Sequence, residues 1–519
     1  MIESLKESKE KSWPKMKVAV IDVGFNSLKM VKYKVEPDGS AKSYGQLGVI
    51  AKLGEGLERT GYLGNEPISR TIDALRLCRE TASLESIEHV LSIGTSPVRE
   101  ATNREEFLKR AQEETGLKLR VLSGNEEALY GLVGAARSIE AFNALFFDLG
   151  GGSLELAYAE KSKVRRILSL PLGALKLTSM YAGKDGMFSR KDRAKMGKYV
   201  DQLLPSRREL GLDKDTVLVG TGGTVRAMAR YDQDVTDYPF DKVHNYSIEF
   251  DSVQKMGREF LKLKVGELDR VDAIGEGRSE TIAAGALVVR ALMKRLGFKR
   301  LMVSTHGLRD GILVEFLEGG VRSKNGASQK EGIDRLLSRP DQPARLADCA
   351  ALLECLVRNG LFDEREKRVV QTGVWRARAP DCVESDADAV FGILMSEDLP
   401  MSHRDQLLMA LSVVKARRPG TANWLIRRYG VVLSHDAKLV KRLGACLKLM
   451  EILDRSRAQY RVAYSGGLRI SVIASKGPFP LELARMAALA FASAIKRPVT
   501  IFVSVKERER HVGLVKVGS

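Results

Sequence analysis

Residues 145–156 read LFFDLGGGSLEL: an apolar run ends at Asp148, three glycines follow, and an apolar alternation resumes around Glu155. The apolar residues on either side have the spacing of two strands, so the glycines predict a tight turn between them. Because glycine carries no side chain, a phosphate group can closely approach the backbone N–H groups of such a turn. The stretch therefore predicts an anion-binding hairpin with one carboxylate on each strand.

The same frame occurs earlier in the chain. Residues 22–28 read DVGFNSL and residues 148–154 read DLGGGSL, and both fit Asp-apolar-Gly-x-x-Ser-Leu at an interval of 126 residues. Each copy lies between two predicted strands, which span 17–23 and 28–35 in the first copy. The repeat predicts a duplicated α/β domain. A Walker loop is excluded because no Gly-Lys-Ser/Thr follows and the next element is a strand.

The composition shows an excess of positive charge. The chain has 519 residues, more than one hydrophobic core usually supports, and its formal net charge is +18. This charge favours a polyanionic partner: nucleic acid, an anionic membrane surface or a phosphate-rich substrate. No apolar run has the length of a membrane span. The five cysteines lack metal-ligand spacing, so we expect reduced thiols in a cytoplasmic protein.

Three further segments carry candidate groups for phosphate binding and proton transfer. The loop GTGGT at 220–224 follows an apolar strand and offers amides and hydroxyls to an anion. Arg99 follows a strand and a Ser-Pro step, and a guanidinium can bind phosphate through two hydrogen bonds. Glu126 and Glu127 open a predicted helix behind Ser123. Glu126 fits a capping box, whereas Glu127 is a candidate general base.

Taken together, the motifs resemble one family. DVGFNSLKMV, TSPVREATN, SGNEEALYGLVGA, DLGGGSLEL, SLPLGALKLT, GTGGTVRAMA and STHGLRDGIL follow the motif order of the exopolyphosphatase / guanosine pentaphosphate phosphohydrolase family over about 300 residues. NGLFDE, QLLMALSVVKARRP and LVKRLGACLKLMEILDRSR are similar to the third domain of its longer members. The resemblance implies two tandem ribonuclease-H-like (actin-like ATPase) domains with the active site between them, then an all-α HD-like domain and a small α/β C-terminal domain.

The resemblance also implies roles for individual residues. Glu127 matches the catalytic glutamate that activates the attacking water. Asp148 and Glu155 match an acidic pair that binds the metal, Mg²⁺ or Mn²⁺, or positions that water, and Asp22 matches a further metal position. The matching phosphate-binding positions are Asn26, Ser27, Arg99, Gly151, Gly152, Ser153, Gly223 and Thr224.

Two positions depart from the family pattern. Phe25 replaces the usual serine of the first motif, and Leu154 replaces the usual Thr or Ser after Gly-Gly-Gly-Ser. Both changes remove a hydroxyl near the expected phosphates, so we expect substrate preference or rate to differ. The helical domain also lacks the histidines of true HD phosphohydrolases around Trp375 and Cys382. We predict neither metal nor catalysis there, only dimerisation and a substrate track.

A basic segment supplies the candidate track. Residues 415–442 carry eight Lys or Arg residues and a single acid, Asp436. A solvated helix face has this composition too, but a polyanionic substrate favours a basic track toward the cleft. The track candidates are Lys415, Arg417, Arg418, Lys441 and Arg442.

The chain is expected to fall into four domains with a leader and a linker. The leader lacks the apolar core of a signal peptide, and the linker is polar with Arg-Pro and Gln-Pro steps. The predicted ranges are leader 1–16, actin-like domains 17–139 and 140–318, linker 319–343, helical HD-like domain 344–460 and small α/β domain 461–519.

The first function expected is that of an exopolyphosphatase, which releases orthophosphate from the ends of inorganic polyphosphate by metal-assisted attack of water. The alternatives are hydrolysis of guanosine pentaphosphate (pppGpp) to the tetraphosphate (ppGpp), a non-catalytic alarmone- or nucleotide-responsive regulator, and a kinase that transfers phosphate from polyphosphate to ADP. A homodimer is expected. No membrane association and no specific nucleic-acid binding are expected, the latter because no recognised binding module is present.

Overall fold

The computed structural model describes residues 14–37, 40–139, 143–183, 186–275, 277–318, 347–379, 382, 385–429, 436–455, 459–474, 479–505 and 514–515. The chain divides into two compact units, residues 1–339 and 340–519. The predicted linker at 319–343 and most of the predicted leader at 1–16 lie outside the described residues. All the glycine motifs fall in the first unit, and the basic segment at 415–442 falls in the second.

The first unit begins with a five-stranded sheet in the order β3-β2-β1-β4-β5. β1 to β3 form an antiparallel meander, and β4 and β5 continue parallel to β1. Alternate residues of β1 enter different cores, Val18 and Val20 on one face and Ala19 and Ile21 on the other, which is why residues 18–21 are all apolar. The elements are β1 (Met16–Val23), β2 (Leu28–Val35), β3 (Ala41–Val49), α1 (Leu57–Thr60), α2 (Asn65–Leu84), β4 (His89–Gly94), α3 (Ser96–Glu100), α4 (Arg104–Thr115) and β5 (Arg120–Val121).

A second sheet repeats this order. Its six strands run β10-β11-β9-β6-β7-β8, so that β8-β7-β6-β9-β11 reproduces β3-β2-β1-β4-β5 and β10 is added at the edge. The duplication predicted from the repeated motif is therefore confirmed. The strands are β6 (Asn143–Leu149), β7 (Leu154–Glu160), β8 (Lys163–Leu170), β9 (Val217–Thr221), β10 (Ser247–Glu249) and β11 (Arg300–Val303). The helices are α6 (Ala174–Tyr181), α7 (Arg190–Leu203), α8 (Arg207–Leu210), α9 (Gly223–Val235), α10 (Phe250–Phe260), α11 (Val265–Leu268) and α12 (Ile282–Leu296).

Two further helices connect the sheets. α5 (Gly124–Ala136) follows the first sheet in the chain but packs on β6, β7 and β8, whereas α13 (Leu308–Leu317) follows the second sheet and packs on α5 and β1. Both share one core with β1 and β6. The packing thus crosses the predicted boundary at residues 139 and 140. This exchange brings Glu127 of α5 and Arg309 of α13 to the same cleft.

The second unit contains helices and one small sheet. The helices span Ala347–Arg358, Glu364–Ala377, Ala387–Ser396, His403–Arg417, Pro419–Arg428 and Ala437–Arg455. They are followed by β12 (Gln459–Tyr464), β13 (Leu468–Ala474), the helix Leu481–Ile495, β14 (Val499–Val505) and β15 (Leu514–Val515), and the sheet order is β12-β13-β14-β15. The helix Leu481–Ile495 packs on Ala437–Arg455, so the predicted helical and α/β regions share one unit.

None of the helices in the described part of the chain combines the length and apolarity that a membrane crossing requires.

Candidate active site

The sites predicted from the glycine motifs meet in one cleft between the two sheets of the first unit. The cleft encloses about 570 Å³ and is lined by both hairpin turns, by the start of α9 and by the start of α13. Of the predicted residues, the structure places these ten on its lining: Asp22, Asn26, Ser27, Glu127, Asp148, Gly151, Ser153, Glu155, Gly223 and Thr224. Arg99 and Gly152 lie just behind it, in contact with residues of the lining.

The two hairpins have the same local geometry. Asp22 is paired across β1 and β2 with Lys29, and Asp148 is paired across β6 and β7 with Glu155. Directly opposite residues project from the same face of a sheet, so each hairpin presents two charged side chains together. Both turns are closed by the same backbone hydrogen bond, from Gly24 N to Ser27 O (3.2 Å) and from Gly150 N to Ser153 O (3.1 Å).

The carbonyl groups of both turns are held from outside the hairpin. In the second turn, Gly151 O accepts hydrogen bonds from Leu175 N (3.0 Å) and Lys176 N (2.9 Å), which belong to the first turn of α6. In the first turn, Phe25 O and Asn26 O accept hydrogen bonds from Gly54 N (3.0 Å) and Lys52 N (2.9 Å). Fixing the carbonyls in this way leaves the turn amides of the hairpins available to an anion.

Glu127 follows the capping box of α5 and is held by Arg99. Ser123 and Glu126 form the predicted capping box at the start of α5, with Ser123 N donating to Glu126 Oε2 at 2.9 Å. Glu126 is thus used to cap the helix, and Glu127 is the carboxylate that lines the cleft. The Arg99 guanidinium forms an ion pair with Glu127 and donates to Leu122 O at 2.8 Å. Arg99, predicted to bind phosphate, therefore contacts the candidate base.

Burial and like charges raise the pKa of the two innermost glutamates. Glu127 is 7% and Glu155 4% exposed. Burial, followed by the charge of Glu155, raises the pKa of Glu127 well above its usual value, although Arg99 opposes this. Burial also raises the pKa of Glu155, and Asp148 adds to it, while hydrogen bonds from Ser153 and Ser169 oppose it. A carboxylate with a raised pKa is a better proton acceptor near neutral pH.

Four cations that the sequence analysis did not name also line the cleft: Lys29, Arg226, Arg278 and Arg309. Burial, followed by the charges of Arg226 and Arg309, lowers the pKa of Lys29 to about 7. Burial and Arg309 likewise lower the pKa of Arg226 to about 10. Four mutually repelling cations in one cleft predict an anionic ligand of several charges, because such a ligand would remove the repulsion.

The start of α9 adds a helix N-terminus to the cleft. Gly222 has φ of 99°, a conformation that side chains rarely adopt, and a Cβ atom there would lie 2.7 Å from Asp148 Oδ1. The predicted loop GTGGT thus needs glycine at this position in order to bring the helix against the second hairpin. The helix N-terminus, with Gly223 and Thr224, supplies a positive dipole end and free amides to the cleft.

Comparison with known proteins agrees with these observations. Residues 36–319, more than half of the chain, match the Ppx/GppA phosphatase family. The chain belongs to this family. The family's fold is also found in the crystal structure of the Aquifex aeolicus member, with a TM-score of 0.50 and 28% identity over 59% of this chain and 99% of that one. An exopolyphosphatase structure from Cytophaga hutchinsonii has a TM-score of 0.55 at 22% identity, covering 59% of this chain and 99% of that one, and supports the fold alone.

Curated relatives of this Ppx/GppA protein are similar over more than half of the chain. Exopolyphosphatase 2 of Mycobacterium tuberculosis is 28% identical over 313 residues, which are 57% of this chain and 97% of that protein. The bifunctional 3-dehydroquinate synthase/phosphatase of Fusobacterium nucleatum is 26% identical over 315 residues, which are 58% of this chain but only 46% of that protein. The actin-like pair of sheets is therefore shown by the comparisons, whereas the HD-like character of the second unit stays a prediction.

A divalent cation at three carboxylates of the cleft stays a prediction. Asp22, Asp148 and Glu155 line the same cleft, and carboxylate oxygens are the ligands that Mg²⁺ and Mn²⁺ prefer. Asp22 and Glu155 each feel the charge of Asp148, which raises the pKa of both after the larger effect of burial. A divalent cation would offset this repulsion. Asp22 also accepts a hydrogen bond from Arg309 at 3.3 Å, so it already has one cationic partner.

The two departures from the family pattern have different surroundings. Leu154 is fully buried in the core beneath the second sheet and does not line the cleft. Phe25 lines the cleft but is only 4% exposed, because its ring packs in the core of the first sheet. A Cβ atom on Gly54 would lie 2.3 Å from that ring, so Gly54 makes room for it. The expected loss of a hydroxyl near the phosphates thus concerns Phe25 alone.

The predicted track residues of the second unit are partly engaged. Arg417 donates to Cys382 O (2.6 Å) and Ala377 O (2.8 Å), and Arg442 forms an ion pair with Glu366. Lys415 donates to Asn423 Oδ1 at 2.8 Å. Arg418 and Lys441 are exposed. A track therefore stays a prediction, with Arg418 and Lys441 the better placed of the five to meet a polyanion in solution.

Proposed function

We propose that this protein is an exopolyphosphatase, which hydrolyses the terminal phosphoanhydride bond of inorganic polyphosphate. The observation that carries the proposal is the composition of the cleft, which combines the four cations with two glycine turns and a helix N-terminus. Each of these binds phosphate oxygens, and together they suit a chain of phosphates better than a single one. The carboxylates lie at the same cleft and supply the hydrolytic chemistry.

Glu127 is the proposed general base. Its raised pKa allows it to accept a proton from water near neutral pH, and the ion pair with Arg99 fixes the orientation of its carboxylate. The hydroxide equivalent attacks the terminal phosphorus, the bridging P–O bond breaks, and the shortened polyphosphate leaves with the electron pair of that bond. The cations and turn amides hold the phosphate oxygens in line and stabilise the charge of the transition state.

Asp22, Asp148 and Glu155 would hold Mg²⁺ or Mn²⁺. When bound, such an ion supplies charge neutralisation to the phosphate oxygens. The carboxylates themselves fix the ligand positions, and Ser169 Oγ keeps Glu155 in place through a hydrogen bond of 2.9 Å. Metal binding can be measured through thermal stability, without an activity assay. Mg²⁺ should raise the melting temperature of the wild-type protein and should do so much less in Asp148→Asn.

A second candidate function is hydrolysis of pppGpp to ppGpp. The volume of about 570 Å³ is large enough for a nucleotide. Against this, the aromatic side chains that line the cleft within the described chain are Phe25 and His306. Phe25 is buried in the core, and His306 is bound to Asp310 at 3.2 Å. The imidazole of His306 is thus the one aromatic ring of the described lining left for a guanine base, whereas four cations line the same cleft, which favours polyphosphate.

The deciding experiment measures phosphate release from long-chain polyphosphate and from pppGpp side by side, with and without Mg²⁺. The proposal requires Mg²⁺-dependent release from polyphosphate at the higher kcat/KM, and its loss in Glu127→Gln. Faster hydrolysis of pppGpp would favour the second candidate. Binding of either ligand without any release would indicate a non-catalytic regulator, and ADP-dependent transfer would indicate a kinase.

For the second unit we propose dimerisation and guidance of polyphosphate, through Arg418 and Lys441 in particular. The support is the local excess of positive charge in residues 415–442. Arg418→Glu combined with Lys441→Glu should raise KM for long chains more than KM for chains of a few phosphates. An equal change for both lengths would contradict a track.

A further inference from the structure

Two lysines form ion pairs between the two sheets of the first unit. Lys52, which follows β3 of the first sheet, lies 3.3 Å from Glu280, which belongs to the second sheet's side of the cleft. Lys176, which follows β8 of the second sheet, lies 3.0 Å from Glu58 and 3.3 Å from Glu100 on the first side. The two contacts are equivalent in the duplicated fold. In each, a lysine that follows the third strand of one sheet pairs with an acid on the side of the other sheet.

The two contacts differ in their exposure to water. The side chain of Lys176 is 13% exposed and has two acidic partners, so its contact is protected from solvent. The side chains of Lys52 and Glu280 are 36% and 47% exposed. An exposed ion pair is weak and screened by salt, so this second contact can form and break. The Lys52 contact is therefore the weaker of the two.

The backbone at Lys52 is joined to the first hairpin turn. Lys52 has φ of 48°, in the left-handed region where glycine is favoured and a lysine is rarely found. Its backbone N–H is bound to Asn26 O at 2.9 Å, in the first hairpin turn.

The segment that carries Glu280 reaches the first hairpin as well. Gly277 has φ of 70°, and its carbonyl accepts a hydrogen bond from Asn26 Nδ2 at 3.3 Å. A Cβ atom on Gly277 would lie 2.7 Å from Ile50, so the backbone of this segment touches the loop that holds Lys52. Residues 277–281 are thus fastened to the first sheet's side at two points, Gly277 and Glu280.

Arg278 lies between these two points and faces α9. A Cβ atom on Gly223 would lie 2.8 Å from Arg278 Nε, so the guanidinium sits against the first turn of the helix. A guanidinium and a helix N-terminus are both positive and repel each other unless an anion binds to both. The position of Arg278 therefore depends on the contacts that fasten its segment.

We infer that Lys52 and Glu280 are positioning residues: their ion pair holds residues 277–281 so that Arg278 and the first turn of α9 together bind one phosphate group of the substrate. This inference rests on the proposed function. The ion pair touches neither substrate nor metal and acts only through Arg278. When the ion pair breaks, residues 277–281 are no longer held in place. The phosphate site then loses Arg278, one of the two groups that form it.

Glu280→Lys is the variant that decides the question. It adds positive charge near a site for a polyanion, so simple attraction predicts a lower KM for polyphosphate. Loss of the positioning contact predicts the opposite, a KM about five- to ten-fold higher with kcat changed much less, since two lysines would face each other. Glu113→Lys makes the same charge change on exposed α4, away from the cleft, and should not raise KM. A KM for Glu280→Lys at or below that of the control would overturn the inference.

Lys52→Gly separates positioning from structural support. Glycine relieves the left-handed backbone, so the melting temperature should stay the same or rise. The KM should nevertheless increase about two- to five-fold at low ionic strength, and the difference from wild type should shrink at high salt. An unchanged KM at low salt would contradict the inference.

The charge-reversed double variant completes the test. Lys52→Glu with Glu280→Lys restores an ion pair, and its KM should return to within about two-fold of wild type. A double variant no better than the worse single variant would count against the contact. All these measurements use phosphate release from inorganic polyphosphate by the full chain. If the wild-type protein releases none, the proposed function fails; if it does and the variants keep wild-type KM, only the positioning role fails.

Discussion

The two hairpins have the same backbone geometry but different charged side chains. Asp22 and Asp148 occupy equivalent places at the ends of β1 and β6, and each faces a partner across the hairpin. In the first hairpin that partner is the cation Lys29, and in the second it is the acid Glu155. One duplicated scaffold has therefore produced a mixed pair on one side of the cleft and a doubly acidic pair on the other.

We propose that this difference in charge gives the two hairpins separate tasks. Lys29 and Arg309 surround Asp22 and give the first side a net positive charge, which suits the phosphates of a polyanion. Asp148 and Glu155 give the second hairpin a net negative charge, which suits a divalent cation and an attacking water. Glu127 enters from α5 next to Glu155. We therefore propose that the first hairpin serves mainly substrate binding and the second mainly the hydrolytic chemistry.

Removing the acid that is specific to the second hairpin should have the largest effect. Glu155→Gln keeps the shape of the side chain and its bond with Ser169 Oγ but removes the charge. We expect kcat for phosphate release to fall by about 10²- to 10⁴-fold with a small change in KM, since the lost group acts on the water and metal. Steady-state kinetics on polyphosphate would measure this. A variant with more than a tenth of wild-type kcat would contradict the assignment.

The equivalent change in the first hairpin should affect binding instead. Lys29→Gln removes a buried charge that faces the phosphates, and charge-assisted hydrogen bonds of this kind predict a KM about 10- to 100-fold higher. Lys29→Arg, which keeps the charge, serves as the matched control and should stay within a few-fold of wild type. If Lys29→Gln lowered kcat as strongly as Glu155→Gln does, the division between the two hairpins would be wrong.

The sequence predicted the elements whose pattern is local. The strands at 17–23 and 28–35 and the capping residues Ser123 and Glu126 were confirmed to within a residue or two, because apolar spacing and capping chemistry are encoded in neighbouring residues. β3 (Ala41–Val49) was not predicted. It is an edge strand with two glycines and few buried residues, so it lacks the apolar alternation of a half-buried strand.

The missed site residues depend on tertiary packing. Arg278 lies outside the quoted motifs, and only the approach of residues 277–281 brings it to the cleft. Arg309 lies within the quoted motif STHGLRDGIL, but the exchange of α5 and α13 is what brings it to the cleft. Arg226 and Arg309 lie within quoted motifs, and Lys29 had a further local signal, since it occupies the position of Glu155 in the repeated frame. Extending the repeat by one residue would have identified it as a site residue.

The two turns also touch at equivalent positions, Phe25 in the first and Gly151 in the second. A Cβ atom on Gly151 would lie 3.0 Å from Phe25 Cβ, so only one of the two turns can carry a large side chain. Gly151→Ala should therefore destabilise the protein by about 1–3 kcal/mol through overpacking. In a Phe25→Gly background, which removes that Cβ atom, the same change should cost much less. A double-mutant cycle from denaturant unfolding would show the coupling, and additive effects would contradict the contact.

The smallest expected effect concerns the pH dependence of stability. The pKa of Glu155 is raised to about 7, above the usual 4.5, so the folded protein binds a proton that the unfolded chain releases between these values. A raised pKa contributes stability that is present at low pH and is lost as pH rises from about 4.5 through about 7. Glu155→Gln cannot ionise, and its melting temperature should fall less than that of wild type across this window.

The pKa of Lys29 is shifted in the opposite direction. Because it is lowered to about 7, the neutral folded form is favoured at high pH, and the stability linked to Lys29 is gained as pH rises from about 7. Lys29→Gln should therefore steepen the loss of stability at alkaline pH, whereas Glu155→Gln should reduce the loss at acid to neutral pH. Melting temperatures of both variants, measured without metal from pH 4.5 to 9, would test these opposite pH dependences. If the melting temperatures of the two variants changed with pH in the same way, the charge difference between the hairpins would not determine how stability depends on pH.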